Sequence, residues 1–160
     1  MKIKKHLLVI GPCGSGKTWL IKQLMNELKA MQKCKFNLIR FVKKDSNCFL
    51  GVFDGSVFDG GDKLSMAVSV DFQKFEKVVN KNNWRVICEG DRFMNENFIK
   101  TFNPYIIKIK DNGAKGRLER GSKQTSQHLK RIETRVNNIV HDFEFHNSTE
   151  TLEFILKNLL

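Results

Sequence analysis

Eight consecutive residues near the amino terminus have the types and spacing needed to bind a polyphosphate. Gly11-Pro12-Cys13-Gly14-Ser15-Gly16-Lys17-Thr18 matches G-x-x-x-x-G-K-[ST] at every position. Glycines let successive backbone N–H groups point at phosphate oxygens, and the dipole of a following helix adds to the attraction. The pattern predicts that Lys17 reaches the β- and γ-phosphates of ATP and that Thr18 binds Mg²⁺. The residues predicted to hold the nucleotide are Gly11, Cys13, Gly14, Ser15, Gly16, Lys17 and Thr18.

The surroundings of this motif support a phosphate-binding loop. An apolar strand is predicted over residues 6–10, and apolar residues at helical spacing predict a helix from Ser15 to about Lys33, with Trp19 on its apolar face. A dinucleotide fingerprint does not fit. Neither N-K-x-D of GTPases nor L-S-G-G-Q of transporter ATPases occurs in the sequence. The chain length then favours a small kinase.

A second motif places two carboxylates just after a buried strand predicted over residues 84–88. Glu89-Gly90-Asp91-Arg92-Phe93 follows it. In a parallel sheet this strand end faces the same crevice as the phosphate loop. A carboxylate there can hold Mg²⁺ or accept the proton of an attacking hydroxyl. We expect Asp91, together with Thr18, to bind the metal, Glu89 to be the alternative base, and Lys17, Glu89, Asp91 and Arg92 to be catalytic.

A basic stretch at residues 113–125 has the composition of a mobile lid with glycine hinges. Phosphoryl transfer needs guanidinium groups that stabilise the transferring phosphate. Arg117 and Arg120 are the catalytic candidates in this lid. Arg131 and Arg135, four residues apart on the next predicted helix, are expected to reach the nucleotide phosphates. The alternative is a solvated basic helix without a ligand.

The order of predicted elements indicates one α/β domain over residues 1–160. Strands are predicted at 6–10, 37–42, 84–88, 105–109 and 143–145, and helices at 15–33, 71–81, 95–102, 127–141 and from 147, where Asn147 and Glu150 suit a helix cap. Residues 45–63 are predicted to form turns or a hairpin. Strands alternating with helices predict a three-layer P-loop NTPase fold with a parallel sheet of about five strands and a short lid.

Charge and composition limit the partners. The net charge is +11 and the pI is about 9.6, which favours polyanions or a lysine-rich solvated surface. No apolar run is long enough to cross a membrane, and Lys2 and Lys4 precede too short an apolar stretch for a secretion signal. We therefore expect a cytoplasmic protein. Four cysteines without C-x-x-C spacing predict reduced thiols and no structural metal.

Several segments resemble one narrower family. Asp91-Arg92-Phe93 is similar to the D-R-[YFH] motif of thymidylate kinases and, more loosely, to the E-R-S element of deoxynucleoside kinases. The sequence resembles small bacteriophage P-loop kinases that include 5-hydroxymethyluracil DNA kinases. Four segments carry this resemblance: the phosphate loop and residues 59–68 (DGGDKLSMAV), 89–93 and 124–139. Gly61 and Lys63 depart from that family's serine and arginine. The resemblance implies that Asp59, Asp62, Lys63 and Arg92 face the acceptor.

The expected function is transfer of the γ-phosphate of ATP to a nucleotide-type acceptor. The resemblance implies the hydroxymethyl group of 5-hydroxymethyluracil in phage DNA, in the cytoplasm of an infected host. Two alternatives stay open: a deoxynucleoside monophosphate kinase acting on free nucleotides, and a non-catalytic module that binds NTP and nucleic acid. The sequence does not specify the oligomeric state.

Overall fold

The computed structural model describes residues 5–56 and 58–160. Lys2 and Lys4, which entered the expectation about secretion, lie outside the described residues. None of the helices in the described part of the chain is long and apolar enough to span a bilayer.

The centre of the molecule is a seven-stranded mixed sheet with the strand order β2-β3-β4-β5-β1-β6-β7. Strands β4, β5, β1, β6 and β7 are mutually parallel, whereas β3 runs antiparallel to both β2 and β4. The strands are β1 (Leu7–Ile10), β2 (Gln32–Phe36), β3 (Ile39–Lys44), β4 (Asn47–Leu50), β5 (Arg85–Glu89), β6 (Tyr105–Ile109) and β7 (Phe143–Phe145). The expectation of a purely parallel sheet of about five strands is therefore wrong, because an antiparallel hairpin extends one edge.

In the described part of the chain six α-helices flank the sheet, and side chains cap several of them. The helices are α1 (Lys17–Glu27), α2 (Phe72–Lys81), α3 (Glu96–Phe102), α4 (Ala114–Glu119), α5 (Ser126–Asn138) and α6 (Ser148–Asn158). Asn147 accepts a hydrogen bond from the Glu150 backbone N–H at 2.9 Å, which confirms the predicted cap of α6. The Glu150 carboxylate reaches back to the backbone N–H of His146, one residue before the cap.

The helix predicted over residues 15–33 is confirmed as far as Glu27 and is wrong beyond it. Helix α1 ends at Glu27, Lys29 adopts a left-handed φ of 54°, and the chain turns into β2. In β2, Cys34 and Phe36 are half-buried while Lys33 and Lys35 are exposed, which is the alternation of a strand. The strand predicted over 37–42 begins two residues later, because Asn37 and Leu38 form the turn between β2 and β3.

The sheet is covered on both faces by apolar side chains. Successive residues of the central strands alternate between two clusters, so that Leu8 and Cys88 face one helical layer while Leu7 and Ile87 face the other. Helices α2, α3 and α5 pack on the first face, and α1 and α6 pack on the second. This arrangement brings the ends of β1 and β5, from which the loops at Gly11 and Gly90 leave, to one edge of the sheet. We call this the carboxyl edge.

Candidate active site

The glycine-rich loop (residues 11–18) leaves β1 and leads directly into α1. Gly14 and Gly16 have φ values of 83° and 89°, a left-handed conformation that side chains rarely adopt. Gly16 caps α1 without a side-chain hydrogen bond, and no acidic residue lies in the first turn. The first N–H groups of α1 therefore keep free donors that suit an anion.

Lys17 lies over the loop with its side chain largely buried. Its Nζ donates hydrogen bonds to the carbonyl oxygens of Gly11 at 2.9 Å and Pro12 at 2.8 Å. An ammonium group has three donors, so one remains for a ligand. The buried hydroxyl of Ser15 has no hydrogen-bond partner among the described residues. Two polar groups of the loop can thus accommodate further oxygen atoms.

Glu89 ends β5 and is only 2% exposed. One carboxylate oxygen, Oε1, accepts hydrogen bonds at 3.1 Å from the hydroxyl of Thr18 and from the backbone N–H of Gly61. Burial raises the pKa of Glu89, and the nearby Asp62 adds to the rise, while Lys17 and the two hydrogen bonds oppose it. The site holds a carboxyl group whose affinity for a proton is increased.

The Gly60-Gly61 pair permits this close approach. Gly60 has a φ of 118°, and a Cβ there would overlap Glu89 Oε1 and lie 3.1 Å from Thr18 Oγ1. A Cβ on Gly61 would overlap the Glu89 carbonyl oxygen. The sequence analysis treated these glycines as turn residues and missed their role beside the carboxylate. The adjacency of two glycines was the available signal, since glycine permits a close approach of the backbone.

The Asp91-Arg92 segment is held by neighbouring turns. The Asp91 backbone N–H donates to Asp62 Oδ1 at 2.8 Å, and the Arg92 side chain donates to the carbonyl oxygens of Leu64 at 3.1 Å and Asp62 at 3.2 Å. The Asp91 carboxylate forms an ion pair with Arg135. Arg92 thus fixes the turn that carries Asp62, whereas Arg135 neutralises the charge of the Asp91 carboxylate.

A cleft of about 640 Å³ opens over the glycine-rich loop and Glu89. A second cavity of about 170 Å³ contains Asp91 and Arg92 and shares Lys17 and Asp62 with the cleft. Of the two predicted metal residues, Thr18 borders the cleft and Asp91 borders the second cavity. Glu89 is the carboxylate that contacts Thr18.

Two exposed aromatic side chains line the wall of the same cleft. Trp19 is 44% exposed and Phe58 is 59% exposed. The sequence analysis placed Trp19 on the apolar face of α1, but it lies beside Thr18 and faces the cleft. An exposed tryptophan beside Thr18 in a cleft suits a flat aromatic ligand.

The predicted lid contains helix α4, which packs tightly on the glycine-rich loop. A Cβ on Gly116 would overlap the carbonyl oxygen of Gly14, and a Cβ on Gly113 would overlap that of Cys13. Arg117 Nη1 donates to the carbonyl oxygens of Cys13 and Asn112 at 2.8 Å. The absence of side chains on two glycines is what lets α4 touch the loop.

The four arginines predicted to act on the phosphates take different positions. Arg120 lines the cleft, and its buried Nε lacks a hydrogen-bond partner among the described residues. Arg117 braces the loop, and Arg135 pairs with Asp91. Arg131 contacts His128 and lies along an exposed groove on α5. The structure thus brings one of the four, Arg120, to the cleft.

Of the predicted acceptor-side residues, Arg92 borders the second cavity and the other three border the cleft. Asp59 is 4% exposed and accepts hydrogen bonds from the Gly55 backbone N–H and from Lys22, both at 2.9 Å. Burial alone would raise the pKa of Asp59, but these hydrogen bonds outweigh it and hold the pKa well below the ordinary value. Lys63 pairs with Asp54 at 2.6 Å. Asp59, Asp62 and Lys63 all border the cleft.

The described residues contain no cluster of three or more His, Cys, Asp or Glu side chains arranged to hold a metal ion. All four cysteines have free thiols. No family model, curated protein or solved structure matches this chain. The function is therefore argued from the site alone.

Proposed function

We propose that this chain is an ATP-dependent phosphotransferase with a P-loop NTPase fold, acting on a nucleotide-type acceptor. The observation that carries the proposal is the meeting of Lys17, Thr18 and Glu89 at the carboxyl edge. Phosphoryl transfer needs a cation on the phosphates, a hydroxyl for the metal and a carboxylate near the nucleophile. These three side chains supply one of each.

The polar groups left without partners fit the phosphates of a nucleotide. The Ser15 hydroxyl and the Arg120 Nε are buried and unpaired among the described residues. The first turn of α1 is uncapped, and Lys17 has a spare donor. Buried polar groups normally find partners, so these orphaned donors support a multidentate anion as the ligand.

The residues present also fit Mg²⁺. This ion keeps several waters and takes one or two protein ligands together with substrate phosphates, so a cluster of three protein ligands is not required. The Thr18 hydroxyl would hold it while donating its hydrogen bond to Glu89, and the ion would neutralise charge on the phosphates. Asp91 is the weaker candidate because Arg135 already pairs with it.

The chain's own residues then have separate tasks. Lys17 and Arg120 hold the phosphates that carry the developing charge. Glu89 Oε1 is occupied by Thr18 and Gly61, while Oε2 has no hydrogen-bond partner among the described residues. With its raised pKa, Glu89 is the group that accepts the proton of the acceptor hydroxyl.

The aromatic wall favours an acceptor that contains a base. Trp19 and Phe58 stand exposed in the cleft. Aromatic rings stack on bases of any sequence. We propose a base-borne hydroxymethyl group in DNA as the acceptor, with a free deoxynucleoside monophosphate as the second candidate. The net charge of +11 favours DNA.

The test is transfer of label from γ-labelled ATP, with Mg²⁺, to a panel of acceptors: 5-hydroxymethyluracil DNA, plain DNA and each deoxynucleotide. We expect transfer to the modified DNA. Transfer to a free deoxynucleotide alone would select the second candidate. ATP consumption that never depends on an added acceptor would contradict the phosphotransferase proposal.

A variant of the aromatic wall sharpens this test. Trp19→Ala should raise the KM for the acceptor by about tenfold or more, since stacking on one base contributes about 1–3 kcal/mol, and leave the KM for ATP within about twofold. Leu118→Ala is the matched control, because Leu118 is 83% exposed outside the cleft. Equal effects of Trp19→Ala on both KM values would remove Trp19 from the acceptor site.

A further inference from the structure

The hairpin of β2 and β3 has two chemically different faces. Residues 28–44 contain six Lys and Arg residues and no Asp or Glu. The inner face contributes Cys34, Phe36, Ile39 and Phe41 to the apolar cluster that also contains Phe75 of α2. The outer face, which we call the basic hairpin face, carries Lys33, Lys35, Arg40 and Lys44, all exposed.

Two cations of this face lie directly opposite each other. The register pairs Lys35 with Arg40, and like charges in opposed positions destabilise an antiparallel pair. The side chains of Lys33, Lys35, Arg40 and Lys44 make no hydrogen bond or ion pair within residues 5–56 and 58–160. The residues outside these ranges, 1–4 and 57, include no acidic residue. The chain therefore provides no carboxylate that neutralises this face.

Protection of a sheet edge does not account for all of these charges. Lysines on an edge strand prevent pairing with another chain, which explains Lys33 and Lys35 on β2. Arg40 and Lys44 lie on β3, which is paired on both sides. Surfaces that serve solubility mix charges of both signs, whereas this face has one sign.

The basic hairpin face lies on the cleft's edge of the sheet. Because β2 runs parallel to β4 and β5, the turn after Phe36 lies at the carboxyl edge. Lys35 and Arg40 are next to that turn, roughly 10–14 Å across the sheet from β5, given strands about 4.8 Å apart. They share the α1 side of the sheet with Val42. Lys22 of α1 lies on the same side and borders the cleft.

The turn is held in place before any partner arrives. The Asp71 carboxylate accepts hydrogen bonds from the Leu38 backbone N–H at 2.9 Å and from the Asn37 side chain at 3.3 Å. On the inner face Phe41 packs against Phe75 and Trp84. The cations therefore project from a fixed scaffold, which lowers the entropy cost of binding.

We propose that the basic hairpin face binds the sugar-phosphate backbone of a nucleic acid. Lys33 and Lys35 stand at alternate positions of β2, about 7 Å apart, and Arg40 lies opposite Lys35 on β3, so that the cations form a row that suits a linear polyanion. An anionic membrane fits less well, because membrane binding needs a continuous apolar face beside the charges. The exposed apolar residues here, Met31 and Leu38, stand singly at opposite ends of the hairpin.

This binding needs neither ATP nor transfer chemistry, so it stands apart from the proposed function. Where that function holds, the face would bind the DNA strand that carries the acceptor group. The test compares Lys35→Gln/Arg40→Gln with Lys74→Gln/Lys77→Gln. Lys74 and Lys77 are exposed on α2, which packs on the other side of the sheet, so both double variants lose the same charge.

Binding of labelled single-stranded and duplex DNA is measured by fluorescence anisotropy without ATP, from about 50 to about 200 mM salt. Vesicles containing phosphatidylserine form a parallel arm. We expect Lys35→Gln/Arg40→Gln to weaken binding of single-stranded DNA at least tenfold. The plot of the logarithm of the binding constant against the logarithm of the salt concentration should also become less steep by about 1.4, since each of the two lost phosphate contacts contributes about 0.7. The α2 variant should keep the wild-type slope.

Three results would overturn the proposal: equal losses in both variants, no loss in either, or a loss confined to vesicles. Transfer to a free deoxynucleotide, assayed in parallel, separates the two proposals. If the hairpin variant loses DNA binding but still transfers phosphate to the free deoxynucleotide, the basic hairpin face acts in DNA binding and not in the transfer reaction. If the wild type shows no phosphotransfer activity, the proposed function is refuted. If DNA binding is then still lost only in the hairpin variant, the proposal for the basic hairpin face is supported.

Discussion

At the scale of single residues, the proposed chemistry depends on how Glu89 is surrounded. Burial raises its pKa and the Asp62 carboxylate adds to this, while the Thr18 hydroxyl and the Gly61 N–H stabilise the ionised form. A carboxylate under these opposing influences can take up and release a proton during a reaction. This balance comes from residues 18, 61, 62 and 89, which lie far apart in the sequence.

Replacing Glu89 tests that role. Glu89→Gln keeps an oxygen that accepts from Thr18 and Gly61 but removes the charge and the site for a proton. We expect kcat to fall about 10²–10⁴-fold, with a small change in melting temperature. Glu96→Gln is the matched control, because Glu96 is exposed on α3 and pairs with Lys100. Near-full activity of Glu89→Gln would move the catalytic role to another carboxylate, with Asp62 the first candidate.

His6 gives the fold a pH dependence that is separate from the site. Its Nδ1 accepts a hydrogen bond from the Val86 N–H at 2.9 Å, which requires the neutral ring. Burial lowers the pKa of His6 from 6.5 to about 4, and Arg85 adds to the shift. As the pH falls below 6.5 the unfolded chain takes up this proton first, so stability is lost progressively down to about pH 4.

This loss is measurable as the free energy of unfolding in urea between pH 7 and pH 4. His6 should contribute at most about 3 kcal/mol to the decrease. His6→Gln keeps an acceptor for the Val86 N–H and does not titrate, so its stability should fall less over the same range. Identical pH profiles for the two proteins would mean that His6 is not held neutral in the folded state.

Residue patterns predict part of this site. The G-x-x-x-x-G-K-[ST] match located Lys17 and Thr18 because each type has a fixed position in one short loop. The motif could not decide whether Glu89 or Asp91 is the catalytic carboxylate. That decision depends on Arg135, which lies 44 residues after Asp91 in the sequence and pairs with it. Asp59 was assigned to the acceptor side, but its hydrogen bonds to Lys22 and the loop backbone exist only after folding.

At the scale of elements, the contact between α4 and the glycine-rich loop decides whether Arg120 reaches the cleft. None of the residues of α4 is buried, so the helix is held by its close contact with the glycine-rich loop and not by a share of the apolar core. Gly116 has no side chain between α4 and Gly14, and a Cβ would overlap a carbonyl oxygen that cannot move without the loop. The helix therefore depends on a glycine where alanine would be the better helix former.

Gly116→Ala should consequently displace α4 from the loop. We expect the KM for ATP to rise at least about fivefold, while the melting temperature changes little because α4 contributes no core residue. Lys115→Ala, an exposed change in the same helix, is the control and should behave as wild type. If Gly116→Ala kept the wild-type KM for ATP, the contact would have no part in nucleotide binding.

Some elements are predictable from local pattern and others are not. The strands predicted over residues 105–109 and 143–145 are confirmed as β6 and β7, and the helix predicted over 71–81 is confirmed as α2 within one residue. Strand β2 was not predicted because Leu24, Leu28 and Met31 keep helical spacing past the end of α1. The left-handed Lys29 that ends the helix leaves no composition signal.

At the scale of the whole molecule, the parallel strands from β4 to β7 bring the loops of the site together, and the antiparallel hairpin of β2 and β3 widens the sheet. Alternation of strands and helices predicted the α/β class and the common edge of the loops. It could not predict the mixed sheet, since strand order depends on long-range pairing. The surplus of 11 positive charges was visible in the sequence, but the placement of four cations on one face of a hairpin required the register.

The most direct measurement of the central claim is phosphoryl transfer from γ-labelled ATP by the wild type, Lys17→Ala and Lys100→Ala, each with its melting temperature. Lys100 is exposed on α3 and serves as the charge-matched control. The account predicts that Lys17→Ala stays folded and loses at least about a hundredfold in kcat, since one preorganised donor to the developing charge has that value, and that Lys100→Ala transfers as the wild type does. Wild-type turnover by a folded Lys17→Ala protein would contradict the account.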